Sequence, residues 1–169
     1  MESYLWVRAL HIVVAALWVG GTTFLGLFVA PVLRGTGRSG DEVMQGLHRR
    51  SVGPFFAVAG LLTVLSGLWL YWHFTGFRHA AMLSGPGLAF GIGGLLGILA
   101  AVVGGAIVGR SVEQVVALDG TMAAMPEGHE RQAQAMERLA LERRVARASA
   151  IDIVLLLAAL VLMSIGHAL

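Results

Sequence analysis

The chain has 169 residues, 57% of them hydrophobic and only 13% charged, with a formal net charge of +2 and a mean hydropathy of +0.78. This composition excludes an ordinary soluble domain and predicts an integral membrane protein. The cationic side chains are all arginines grouped around apolar segments, a topology signal rather than a nucleic-acid one, and the absence of cysteine removes disulfides, thiolate metal sites and thiol redox chemistry.

Four segments reach the roughly 20 apolar residues that a helix needs to cross a bilayer. They fall at about 4–33, 52–74, 85–109 and 148–168, and with short connections they predict one all-α domain over 1–169, an integral membrane four-helix bundle. The first segment, "YLWVRALHIVVAALWVGG", carries Glu2 and a single Arg8 ahead of a long apolar run with no small-residue cleavage pattern, so it is read as a mature helix and not a secretory signal. Inside it lie His11 and, seven positions on, Trp18.

Arg34, Arg38, Arg49 and Arg50 follow the first segment, and Arg110, Arg131, Arg138, Arg143, Arg144 and Arg147 separate the third from the fourth; Arg8 and Arg78 stand apart from them. The positive-inside rule then places both arginine-rich connections in the cytoplasm and both termini outside. A multi-pass protein of a bacterial-type cytoplasmic membrane is the expected setting, with the lipid bilayer as its first partner.

The second segment ends in Trp69, Tyr71 and Trp72, which with Tyr4 and Trp6 predict an aromatic belt at the outer interface. The third carries small residues at four-residue spacing, Gly93, Gly97, Ala101, Gly105 and Gly109. Such a stripe fits tight helix packing or a homodimer, and equally a wall for a planar cofactor. Beyond it, Asp119-Gly120 reads as a helix stop and Pro126 as a helix start, so the third and fourth helices are expected to extend into the cytoplasm, the fourth from near 126 as one long rod. Asp152, the one carboxylate within the fourth span, is expected in an ion pair with Arg50, Arg110 or Arg147, with proton uptake as the alternative.

Six histidines remain. His48, His79 and His129 fall in connections and read as exposed, whereas His11, His73 and His167 bring an imidazole from three helices to nearly one membrane level. Polar groups at that depth face the bundle interior and mark sites. Without cysteine or a carboxylate at the same level, neutral imidazoles suit metal or haem ligation better than general acid-base catalysis. His11, His73 and His167 are the candidate ligands. Trp18, Met163, Gly97 and Phe24 are candidate walls for a haem, with Met163, one turn before His167, also a potential thioether ligand. One haem b is expected, since a second at the cytoplasmic side would have only His48; bare copper or zinc is the alternative.

"YLWVRALHIVVAALWVGG", with its leucine-histidine pair six residues before Trp-x-Gly-Gly, resembles the first helix of the CopD-like and HemJ-like membrane proteins, and "HRRSVGPFFAVAGLLTVLSGLWLYW" is similar to their second. The likeness covers about 75 residues and implies a four-helix b-type haem fold with His11 as the motif histidine. HemJ-like members oxidise protoporphyrinogen with an intramembrane lysine, and this chain has no lysine; CopD-like members handle copper, and the loops here lack methionine-rich motifs. Two functional classes remain. One is a membrane cytochrome, an oxidoreductase or electron-transfer protein working with a quinol, a small oxidant or a redox protein. The other is a non-redox copper transporter or accessory subunit.

Overall fold

In a computed structural model, residues 2–168 are described, with the side chains of Arg38, Asp41 and His48 outside the described set. Every element among them is helical. Four helices are long and apolar enough to cross a membrane: α1 (Glu2–Gly35), α3 (Val52–Thr75), α5 (Gly85–Ala123) and α6 (His129–Ile165). Between them lie α2 (Arg38–Arg49) and the one-turn α4 (His79–Met82). Large apolar side chains such as Trp6, Leu27 and Val154 point outward all along the bundle, as lipid-facing residues do and as a soluble protein's surface does not.

Local chemistry sets the ends of these helices. The Ser84 hydroxyl accepts from the Gly87 N–H at 3.2 Å, and Pro86 stands in the first turn, which starts α5. Gly76, at φ 53°, closes α3 by donating its N–H to the Trp72 carbonyl. Two spans are interrupted by π-helical turns, Leu25–Val29 in α1 and Val103–Gly109 in α5. Each adds a residue to a turn and rotates the side chains beyond it to a new face.

The helices pack as two intimate pairs, α1 with α3 and α5 with α6, joined by contact of α3 with α5, while α1 and α6 touch more sparingly. Trp18, Ala59, Ala100 and Leu156, one from each span, form the buried centre. Small residues let the backbones close. A Cβ on Gly60 would lie 3.2 Å from the Trp18 ring, and one on Gly26 would lie 2.6 Å from Ile153 Cδ1.

Several boundaries depart from the sequence expectation. The segment after the first span is a helix, α2, whose Val43, Met44 and Leu47 form an apolar strip among polar residues, as in helices that lie along a membrane interface. Asp119-Gly120 does not stop α5, which runs on to Ala123, and α6 starts at His129 behind Gly128 instead of near Pro126. A tertiary contact explains the first correction: Arg138 Nε donates to Asp119 Oδ1, tying α5 to α6 where glycine alone costs only about 1 kcal/mol of helix propensity. Arg138 also pairs with Glu142 at 2.8 Å. Because the Arg138 and Asp119 side chains are mostly buried, Arg138→Ala is expected to destabilise this hairpin by about 1–3 kcal/mol. Faster trypsin cleavage between residues 110 and 147, with the spans still protected, is the readout; an unchanged cleavage rate counts against the pairing as the reason α5 continues.

Candidate functional site

At the end of the bundle that carries both termini, the four spans part around a cavity of about 420 Å3. Its size lies within the range of about 300–1,000 Å3 usual for small-molecule and cofactor sites. Five sequence candidates line it: His11, Trp18, Gly97, Met163 and His167. His73 and Phe24 do not.

His11 is held by α3. Its Nδ1 lies 3.0 Å from the Thr63 carbonyl and 3.0 Å from Ser66 Oγ. A carbonyl only accepts, so the hydrogen-bond network assigns the proton to Nδ1. Ser66 spends its own hydrogen on the Leu62 carbonyl, leaving its oxygen to share the same donor. The consequence is a half-buried imidazole whose Nε2 keeps its lone pair and has no partner among the described residues. Tying the far nitrogen to a backbone oxygen is how metal-ligating histidines are commonly oriented. Gly67 makes the arrangement fit, since a Cβ there would stand 3.0 Å from His11 Cε1.

His167 lies just past α6, exposed at the cavity mouth. Arg8 Nη2 donates to its Nε2 at 3.0 Å, and Phe90 meets the ring edge to face at 5.2 Å. The arginine therefore occupies the nitrogen lone pair and links the start of α1 to the end of α6. His73 lies seven residues beyond Ser66 on α3, about 10 Å of rise, so it is not level with His11 as the sequence predicts; it is stacked on Trp69 at 5.1 Å and against Tyr4 at 5.3 Å. Consistent with this separation, no group of three His, Asp or Glu side chains able to hold a metal ion occurs among the described residues.

The small-residue stripe divides by function. Gly93 is a packing position: a Cβ would come within 3.3 Å of the Ala159 carbonyl oxygen and of Met163 Cε. Gly94 and Gly97 have nothing within 4 Å of that point and line the cavity, while Gly105 faces open space further along. The floor is Trp18 and Leu156, 5% and 2% exposed. Phe24 sits beyond that floor on the lipid side, paired with Phe28.

Of the expected aromatic belt, Trp6 and Trp72 are exposed, whereas Tyr4 and Tyr71 turn into the cavity wall. His79 and His129 are exposed in connections; the side chain of His48 lies outside the described residues. Asp152 makes none of the expected ion pairs. Arg50, Arg110 and Arg147 are all exposed, and the carboxylate, one turn or more deeper, is left without them. Sequence reasoning alone assigns no site role to Arg8, Thr63, Ser66 or Gly67, although "TVLSG" inside an apolar helix places hydroxyls and a glycine on one face.

No family model, curated protein or solved structure matches the chain.

Proposed function

We propose that the chain is a membrane-embedded b-type haem protein that exchanges electrons with a quinol, a small oxidant or a redox protein. The observation that carries this reading is His11: its Nδ1 is fixed by Thr63, and its unpartnered Nε2 borders an apolar cavity with a glycine wall. A haem asks the protein for one or two axial ligands and smooth walls, whereas a bare copper or zinc ion asks for three or four converging side chains. His11 offers the single axial nitrogen of the first, and among the described residues no three His, Asp or Glu side chains converge as the second would need, which favours the haem reading.

A bound haem supplies one-electron exchange at its iron. The chain's own residues would do the rest. His11 would ligate through Nε2, Trp18 and Leu156 would close the site below, and Gly94 and Gly97 would let a flat ring approach α5. Met163 stands on the wall as a second donor, and His167 becomes one only by releasing Arg8. The Arg8 guanidinium at the mouth suits an anionic edge of the ligand. With the arginine-rich connections taken as cytoplasmic, the cavity opens in the outer leaflet of a bacterial-type inner membrane.

The test is an oxidised-minus-reduced absorption spectrum of the purified protein with metal analysis. Sharp α and Soret bands with about one iron per chain are expected for a single His-ligated haem. A colourless protein, or one carrying stoichiometric copper or zinc instead, overturns the reading.

A further inference from the structure

Beneath the cavity floor lies a second polar feature that the haem reading does not use. Asp152, one turn before Leu156 on α6, is 3% exposed, and its Oδ1 has no hydrogen-bond partner. Oδ2 abuts α5, 3.2 Å from the point a Cβ on Gly104 would take, so the glycine lets the carboxyl pack tightly there. A second orphan is nearby in the fold: Thr23 Oγ1 is also buried without a partner. Thr23 sits on α1 between Trp18, which packs with Leu156, and Gly26, which packs on Ile153, so it is level with the turn of α6 that follows Asp152.

Both orphans adjoin irregular backbone. Thr23 is two residues before the π-helical turn Leu25–Val29, and Gly104 lies inside the π-helical turn Val103–Gly109. Such turns weaken the helical hydrogen-bond ladder and recur at functional positions. Among the described residues, no charged or titratable side chain faces the carboxyl from a packed element. The adjoining stretches 20–29 of α1, 52–60 of α3 and 100–109 of α5 contain none, and on α6 itself the nearest is exposed Arg147.

We propose that Asp152 is a proton-exchange site, taking a proton from and returning it to the aqueous phase at the arginine-rich end. A carboxyl in a hydrocarbon layer needs a partner, and the described chain supplies none. Hard divalent cations take about six or more oxygens, and a single carboxyl with a single threonine hydroxyl falls far short. A proton needs one oxygen. The step is balanced: the carboxylate takes a proton from hydronium, giving the carboxylic acid and water, and the reverse returns it. From Asp152 to Arg147 is five residues of helix, about 7.5 Å of rise. Ser111, 1% exposed on α5, is the next buried polar side chain on that side. This inference does not depend on what the cavity holds.

Infrared spectroscopy of the full-length detergent-purified protein, titrated in H2O and in D2O, tests it. A C=O stretch of a protonated carboxyl is expected that moves to lower frequency in D2O, disappears reversibly at alkaline pH and is missing in Asp152→Asn. Should that variant fail to fold, carboxyl-13C aspartate in the wild-type chain assigns the band to one of the three aspartates by its isotope shift, and survival of the band in Asp41→Asn and Asp119→Asn assigns it to Asp152. Absence of the band, its persistence in Asp152→Asn, or its failure to titrate overturns the proposal, and so does its removal by sodium at constant pH and ionic strength, which would make the site a metal-cation site.

Discussion

His11→Ala is expected to abolish stoichiometric haem binding, with loss of the Soret band from protein that still purifies as a helical membrane protein. The expectation rests on the division of labour between the two ring nitrogens. Nδ1 is committed to Thr63 and Ser66, so the substitution removes about 1 kcal/mol of internal hydrogen bonding and opens space already continuous with a cavity. The fold can absorb that, whereas the other donors in the lining, Met163 on α6 and His167 just past its end, do not fill the position His11 vacates on α1, the His167 Nε2 being held by Arg8. Ser66→Ala should be much milder, weakening binding by about tenfold at most, since Thr63 still orients the ring and outer-shell changes typically cost about 10–100-fold. His73→Ala should leave the spectrum unchanged. Imidazole added to His11→Ala should restore part of the band by filling the vacated ligand position. A wild-type spectrum in His11→Ala removes His11 from the site, and equal losses in His11→Ala and His73→Ala would contradict the placement of His73 on the aromatic stack.

The contrast between these two histidines shows how far the sequence reaches. Hydropathy gives depth only to within a turn or two: it predicts one level for His11, His73 and His167, whereas His11 bonds Ser66, two turns of α3 short of His73. A site also needs the right side of each helix. On α3 the cavity face runs through Thr63, Gly67, Tyr71 and Phe74, whereas His73 lies seven residues after Ser66, on the flank beside α1 where Tyr4 and Trp69 cover it. That flank can be assigned only once the neighbours of α3 are known.

The four spans were legible because hydrocarbon admits little besides closed helices, so a run of apolar residues leaves almost no choice of structure. Features set by contacts between helices were not. The Asp119-Gly120 pair has the local signature of a stop, and it is Arg138, nineteen residues on, that carries α5 past it. The ion pair expected for Asp152 failed for the opposite reason. Arg147 lies five residues away along α6 and Arg50 and Arg110 lie on other helices, all three exposed, and exposure to water or headgroups serves a guanidinium better than reaching inward. Neither π-helical turn has a residue signature in the chain, yet the two adjoin the unpartnered oxygens of the Asp152 layer.

Spacing alone left the small-residue stripe of α5 ambiguous, and a pair of substitutions one turn apart separates its two uses. At Gly93 a leucine would drive its Cβ toward the Ala159 carbonyl oxygen and Met163 Cε, both 3.3 Å away, so α5 and α6 must move apart. Gly93→Leu is therefore expected to lower stability by about 1–3 kcal/mol, the usual cost of overpacking a tight contact, seen as a lower Tm in detergent. At Gly97 nothing stands within 4 Å, and the added side chain would grow into the cavity. Replacing a mid-helix glycine there removes a propensity penalty of about 1 kcal/mol, so Gly97→Leu should hold or raise Tm while excluding the ligand. Loss of the absorption bands with Tm preserved at Gly97, against loss of Tm at Gly93, makes one turn of α5 a cofactor wall and the turn before it a helix contact. A fall in Tm at Gly97 equal to that at Gly93, or a full ligand complement in Gly97→Leu, would mean that the whole stripe serves packing and that the ligand lies elsewhere.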